Sequence, residues 1–171
     1  MLDVFTKNLE TYLNADEELE RRLAGFKHFS GHPDGHYQRA RAEGDSALAR
    51  AVRCYPFGGE SDIKNCEVVG IRIEDGDEEF QFVIRLDGRT FSVTTGSFDK
   101  PLLSVGLSKK LFKDAILGRY RWVWLFGMDE VELTYSDGLP HSDWVTILEI
   151  CVTMQELVEF DKELWQAVQN Y

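Results

Sequence analysis

Three histidines, His28, His32 and His36, recur every four residues, the spacing that sets side chains on one helix face. Zinc commonly takes three imidazoles, so the pattern is a candidate metal site. Pro33-Asp34-Gly35 interrupts it: proline ends a continuous helix and glycine permits positive φ, a turn signature. Solvated loop histidines are therefore the expected reading, with no metal and no cofactor. A metal-dependent or small-molecule enzyme using this cluster is the alternative. A second candidate is Lys109-Lys110, at the start of an expected helix whose backbone N–H groups favour anions. A fatty acid carboxylate or a CoA phosphate is the anion chemistry that fits, but two solvated surface lysines are the favoured reading of the pair. The third is Trp122-Val123-Trp124-Leu125-Phe126, the most aromatic run in the chain. Flat rings wall apolar ligands well, and they also serve as ordinary core between helix and strand.

Signatures of catalysis are missing from the sequence. There is no Gly-x-Ser-x-Gly elbow, no glycine-rich phosphate loop and no HExxH pair. Carboxylates such as Glu130, Glu132 and Asp137 are abundant, but a formal net charge of −11 predicts abundance. Three cysteines, Cys54, Cys66 and Cys151, share no short spacing, so reduced, partly buried thiols are expected. The residues themselves give no positive sign of an enzyme, and composition and spacing stop at the fold class.

The elements that must position these residues follow from periodicity. Leu2, Phe5, Leu9, Tyr12 or Leu13, and later Leu19 and Leu23, recur at helical steps, with an interruption at Asn14-Ala15-Asp16. Lys27 to Asn65 is the least regular stretch, with a helix expected over Tyr37 to Val52. From Cys66 the period becomes two. Val69, Ile71 and Ile73 alternate, a turn follows at Glu74 to Asp77, and Phe80, Phe82, Ile84 and Leu86 alternate again. Asp87-Gly88 suits a tight type I′ turn, after which Phe91, Val93 and Thr95 return. Leu103, Val105 and Leu107 predict another strand. Ser108 stands where an N-cap belongs, Leu111, Phe112, Ala115 and Ile116 form a stripe behind it, and Gly118 marks the stop. Val131, Leu133 and Tyr135 predict a fifth strand. From Ser142 to about Val168 the spacing predicts helix, broken or re-capped near Thr153, whose Glu156 completes a capping box; over Trp144 to Val152 the β-branched residues leave a strand open.

The fold class is therefore α+β, an antiparallel-rich twisted sheet of about five strands covered by helices. A chain of 171 residues, 43% hydrophobic and 29% charged, fits one domain, with residues 1–65 a helical region and 66–171 the sheet and its helices. No apolar run approaches the ~20 residues of a membrane span, and the start lacks a signal peptide's basic flank and apolar stretch. A cytoplasmic location without integral membrane association is expected. The charge of −11 repels phosphate backbones, so nucleic acid is not an expected partner. A homodimer, or an interaction module using the aromatic run or the Tyr37–Val52 segment, stays open.

The strand Leu102-Leu103-Ser104-Val105-Gly106-Leu107 leads into Ser108 and then Leu111-Phe112-Lys113-Asp114-Ala115-Ile116-Leu117-Gly118. With the hairpin Phe80 to Val93 before it and Val131 to Asp137 after it, this order resembles the sterol carrier protein 2 family over roughly Val68 to Leu157. Lys109-Lys110 and the bulky Trp122–Phe126 depart from the family's usual pattern. The resemblance implies non-catalytic binding of a sterol, fatty acid or acyl-CoA in a tunnel between sheet and helices. Its implied lining is Phe82, Ile84, Phe91, Val93 and Val105 from the sheet, Leu111, Phe112 and Ile116 from the short helix, and Trp122 and Trp124.

Overall fold

In a computed structural model of the chain, the residues described are 1–14, 65–87, 90–139 and 141–171. The elements are α1 (Leu2–Leu13), β1 (Cys66–Asp75), β2 (Glu78–Asp87), β3 (Thr90–Thr95), β4 (Leu103–Ser108), α2 (Lys109–Ile116), α3 (Trp122–Leu125), β5 (Glu132–Tyr135), α4 (His141–Phe160) and α5 (Lys162–Gln169). His28, His32, His36, the Tyr37–Val52 segment and Cys54 lie outside the described residues.

The five strands form one sheet in the order β3-β2-β1-β4-β5. Three neighbouring pairs are antiparallel and one, β1 with β4, is parallel. The alternation read from the sequence is the alternation of the faces: Ile71 lies opposite Phe82 and Val105, and Val69 opposite Ile84 and Leu103. These side chains are buried on one face beneath the helices. Asp75 pairs with Glu78 across Gly76-Asp77, where Gly76 takes φ 64°, the backbone a two-residue hairpin needs. Asp87 pairs with Thr90, so the β2–β3 hairpin is present; the type of its turn rests on Gly88 and Arg89, outside the described residues.

Helix α1 turns Phe5, Leu9, Tyr12 and Leu13 inward, as its spacing predicts, and ends at Asn14. That end has a second task. The Asn14 amide donates to the Phe91 carbonyl (2.8 Å) and its Oδ1 accepts from the Phe91 N–H (3.0 Å), while Glu10 Oε2 accepts from the Val93 N–H (2.7 Å). Glu10 of α1 and its capping residue Asn14 thus satisfy the backbone of β3, the outer strand of the described sheet, and block it from pairing with another chain. Asn14→Ala is expected to cost about 1 kcal/mol and to promote concentration-dependent association, measurable by urea unfolding and sedimentation.

One sequence expectation is corrected. Helix α4 runs unbroken through Thr153, and the break falls at Asp161, whose Oδ1 accepts from the N–H groups of Glu163 (3.1 Å) and Leu164 (3.0 Å) to start α5. The physical reason is the stripe Ile147, Ile150, Cys151, Met154, Leu157 and Val158, which is buried without interruption. Thr153 is itself buried, within that helix. Burial along the whole stripe outweighs a local capping signal that only a helix end could use.

Candidate functional site

The short helix α2 is built as its residues predict. Ser108 Oγ accepts from the Leu111 N–H (3.3 Å), and the far end closes through Gly118. The Gly118 N–H donates to the Ala115 carbonyl (3.0 Å) and the Arg119 N–H to the Asp114 carbonyl (2.8 Å), the paired bonds of a Schellman ending. Gly118 takes φ 71°, which only glycine adopts without strain. The same turn pairs the buried Asp114 carboxylate with Arg119 Nη1 at 2.8 Å. It then delivers the chain into α3.

Residues expected to line a site are largely brought together. Phe82, Ile84, Phe91 and Val105 are buried on the inner sheet face, and Phe112 and Ile116 are buried above it. Val93 and Leu111 are half-buried at its margin. Trp122 joins the same core, at 1% exposure. Trp124 does not: it stands 61% exposed beside Val123 at 54%, with the Arg121 guanidinium 5.6 Å from its ring centre. One turn of helix has divided the aromatic run between interior and solvent.

Sequence reasoning missed what covers the floor. Phe5 of α1 meets Phe82 edge-on at 6.1 Å and Phe112 at 5.7 Å, while Phe82 and Phe112 stand 6.2 Å apart. Two rings, Phe5 of α1 and Phe112 of α2, therefore stand edge-on against Phe82 of β2 and against each other. The only signal for Phe5 was its place in an apolar stripe, which says that it is buried but not against what.

Half-buried apolar side chains surround the core on several elements, Phe80, Val93 and Leu111 among them, and one group lies on α3, β5 and the start of α4. Tyr120, Phe126, Met128, Leu133, Trp144 and Leu148 touch the core but are only partly buried. Trp122 and Phe126 rings lie 6.3 Å apart, and Trp144 meets Tyr135 edge-on at 5.3 Å. Within this region the indole Nε1–H of Trp122 is buried and has no hydrogen-bond partner among the described residues.

Of the two lysines, Lys109 is committed. Its ammonium bonds Asp75 at 2.8 Å and lies 4.1 Å above the Tyr171 ring, and the bond to Asp75 holds it above the usual lysine range. Burial in turn raises the Tyr171 phenol. Lys110 is exposed. Complete burial drives the Cys151 thiol far up, so it stays protonated and is no nucleophile. Among the described residues no three His, Cys, Asp or Glu side chains are grouped to hold a metal ion, and no helix is long and apolar enough to cross a membrane.

No family model and no curated protein matches the chain. Among solved structures it is similar to sterol carrier protein 2 from Yarrowia lipolytica in its apo form, at 12% identity over 74% of this chain and 83% of that one, with a TM-score of 0.42. It is similar as well to the sterol carrier protein domain 2 of Helicoverpa armigera, at 18% identity over 74% of this chain and 94% of that one (TM-score 0.43). Sterol carrier protein 2 like 2 from Aedes aegypti matches at 12% identity over 66% of this chain and 93% of that one (TM-score 0.40). These are structures of the family that the sequence resembles.

Proposed function

We propose that the protein binds an apolar, lipid-like molecule without catalysing a reaction, and that the ligand lies between the sheet and its helices on the β5 side. The observation that carries this reading is uneven burial. Over Phe82 the layer is closed by aromatic rings, and half-buried apolar side chains stand around that core, Phe80, Val93 and Leu111 on one side and a group on α3, β5 and the first half of α4 on the other. Half-exposed apolar surface gains free energy when an apolar molecule covers it, at roughly 25 cal/mol per Å² removed from water. A sterol, a fatty acid or an acyl chain has the surface to do so.

The test is native mass spectrometry of protein purified without detergent, followed by a palmitate and cholesterol titration. A co-purifying lipid mass, or saturable binding of either compound, supports the reading. A bare protein mass together with no uptake of either compound sinks it.

A second reading is supported by Val123 and Trp124, whose outward aliphatic and aromatic surface fits an interaction module or a homodimer. It makes a different prediction: a mass that rises with concentration and falls back in a Trp124→Ser variant.

A further inference from the structure

Among the described residues the interior is almost free of polar side chains. Thr6, Asp114 and Thr153 are the only buried polar or charged residues there. Asp114 is already paired with Arg119, and no described lysine or arginine is buried. Against that background the Trp122 Nε1–H is an anomaly. It is a strong donor, it is taken out of water, and no described residue accepts from it. Folding has removed its hydration without replacement, which native interiors rarely tolerate unless something else supplies the acceptor. The surroundings on the β5 side are apolar and incompletely buried, and α3 is a single turn whose next two residues, Val123 and Trp124, reach solvent. The orphaned donor therefore sits on the inner side of a one-turn helix whose outer side reaches solvent, in the region where a ligand is proposed.

We infer that Trp122 Nε1–H is the polar anchor of the site, and that the site selects lipids whose head carries a neutral oxygen acceptor, such as an ester, aldehyde or ketone carbonyl, over those ending in a carboxylate. The inference rests on the apolar-ligand reading and sharpens it. An indole offers one donor and no acceptor, so it can satisfy a carbonyl oxygen but cannot complement a hydroxyl's own proton. A carboxylate needs more. It brings a full charge and several lone pairs into the interior, and a single neutral N–H, with no buried cation among the described residues, leaves most of its hydration unreplaced. This differs from the candidate anion contact at Lys109-Lys110, which is on another helix and whose Lys109 is held by Asp75.

The experiment compares methyl palmitate, palmitate at pH 8 and hexadecane, each titrated into the full-length wild type and a Trp122→Phe variant. The expected result is that wild type binds methyl palmitate about fivefold more tightly than the other two, the value of one buried neutral hydrogen bond, and that in Trp122→Phe methyl palmitate falls to the affinity that hexadecane has for the same variant. In wild type, one indole N–H proton resonance should also move downfield with methyl palmitate and not with hexadecane, which tests the bond without any variant. Tightest binding of palmitate, equal losses for all three compounds in Trp122→Phe, or an indole resonance indifferent to the ester would each overturn the anchor while the binding reading stands. Failure of all three compounds to bind wild type would remove the binding reading and the anchor with it.

Discussion

Phe112→Ala is expected to lower the stability of the protein by about 3–5 kcal/mol, the range for deleting a fully buried phenylalanine side chain. Phe112 is 0% exposed and meets both Phe5 and Phe82 edge-on, so its loss opens a void where three elements converge. The neighbours cannot close it easily. Phe5 belongs to a helix whose end is tied to β3 by Asn14 and Glu10, and Phe82 belongs to a strand paired on both sides. Breaking the edge-to-face pairing with each of these two rings adds to the cost of the void itself. Urea unfolding should show a lower midpoint with an unchanged slope, since the surface exposed on unfolding is nearly the same. Val123→Ala, at an exposed position on the next helix, should stay within about 0.5 kcal/mol. If the two variants behaved alike, the ring triad would not be the keystone of this layer.

Gly118→Ala carries the second large effect, for a reason of backbone rather than volume. At φ 71° an L-residue costs about 1–2 kcal/mol relative to its relaxed conformation. A Cβ there would also stand 2.8 Å from Gln155 Nε2 of α4, so that side chain must move as well. Together these predict a loss of about 2 kcal/mol. Gly118→Asn should cost less, because asparagine visits the left-handed region more readily. Since the Gly118 turn feeds α3, the Ala variant should also shift tryptophan emission toward the red as Trp122 meets water. A destabilised protein with unchanged emission would mean that the turn does not hold α3 in place.

Local features of this kind were legible. The strands β1 to β3 appeared as alternation at Val69, Ile71 and Ile73, at Phe82 and Ile84, and at Phe91 and Val93, because a one-sided strand imposes period two on its own residues. Ser108 and Gly118 appeared as cap and stop because each satisfies backbone groups within four residues of itself. Features spanning the chain were not legible in the same way. Nothing in the residues of β4 announces that it pairs in parallel with β1 rather than with β3. Nothing local places Asn14 against Phe91, 77 positions away. The run from Trp144 to Val152 carried β-branched residues and a helical stripe at once, and it is helix because the stripe has a core to cover.

The candidate site divides along the same line. Type and period determined that Phe82, Ile84, Phe91, Val105, Phe112 and Ile116 face one interior, since each element's apolar stripe must be buried against another. Whether that interior is closed or open was not a property of any one stripe. It depends on which ring reaches across from a third element, and Phe5 supplies that ring over Phe82. Likewise the sequence made Trp122 and Trp124 equivalent aromatic neighbours. Only the tertiary structure sent one inward, with its N–H unmet, and the other out to solvent, because two residues along a helix lie on nearly opposite sides of its axis.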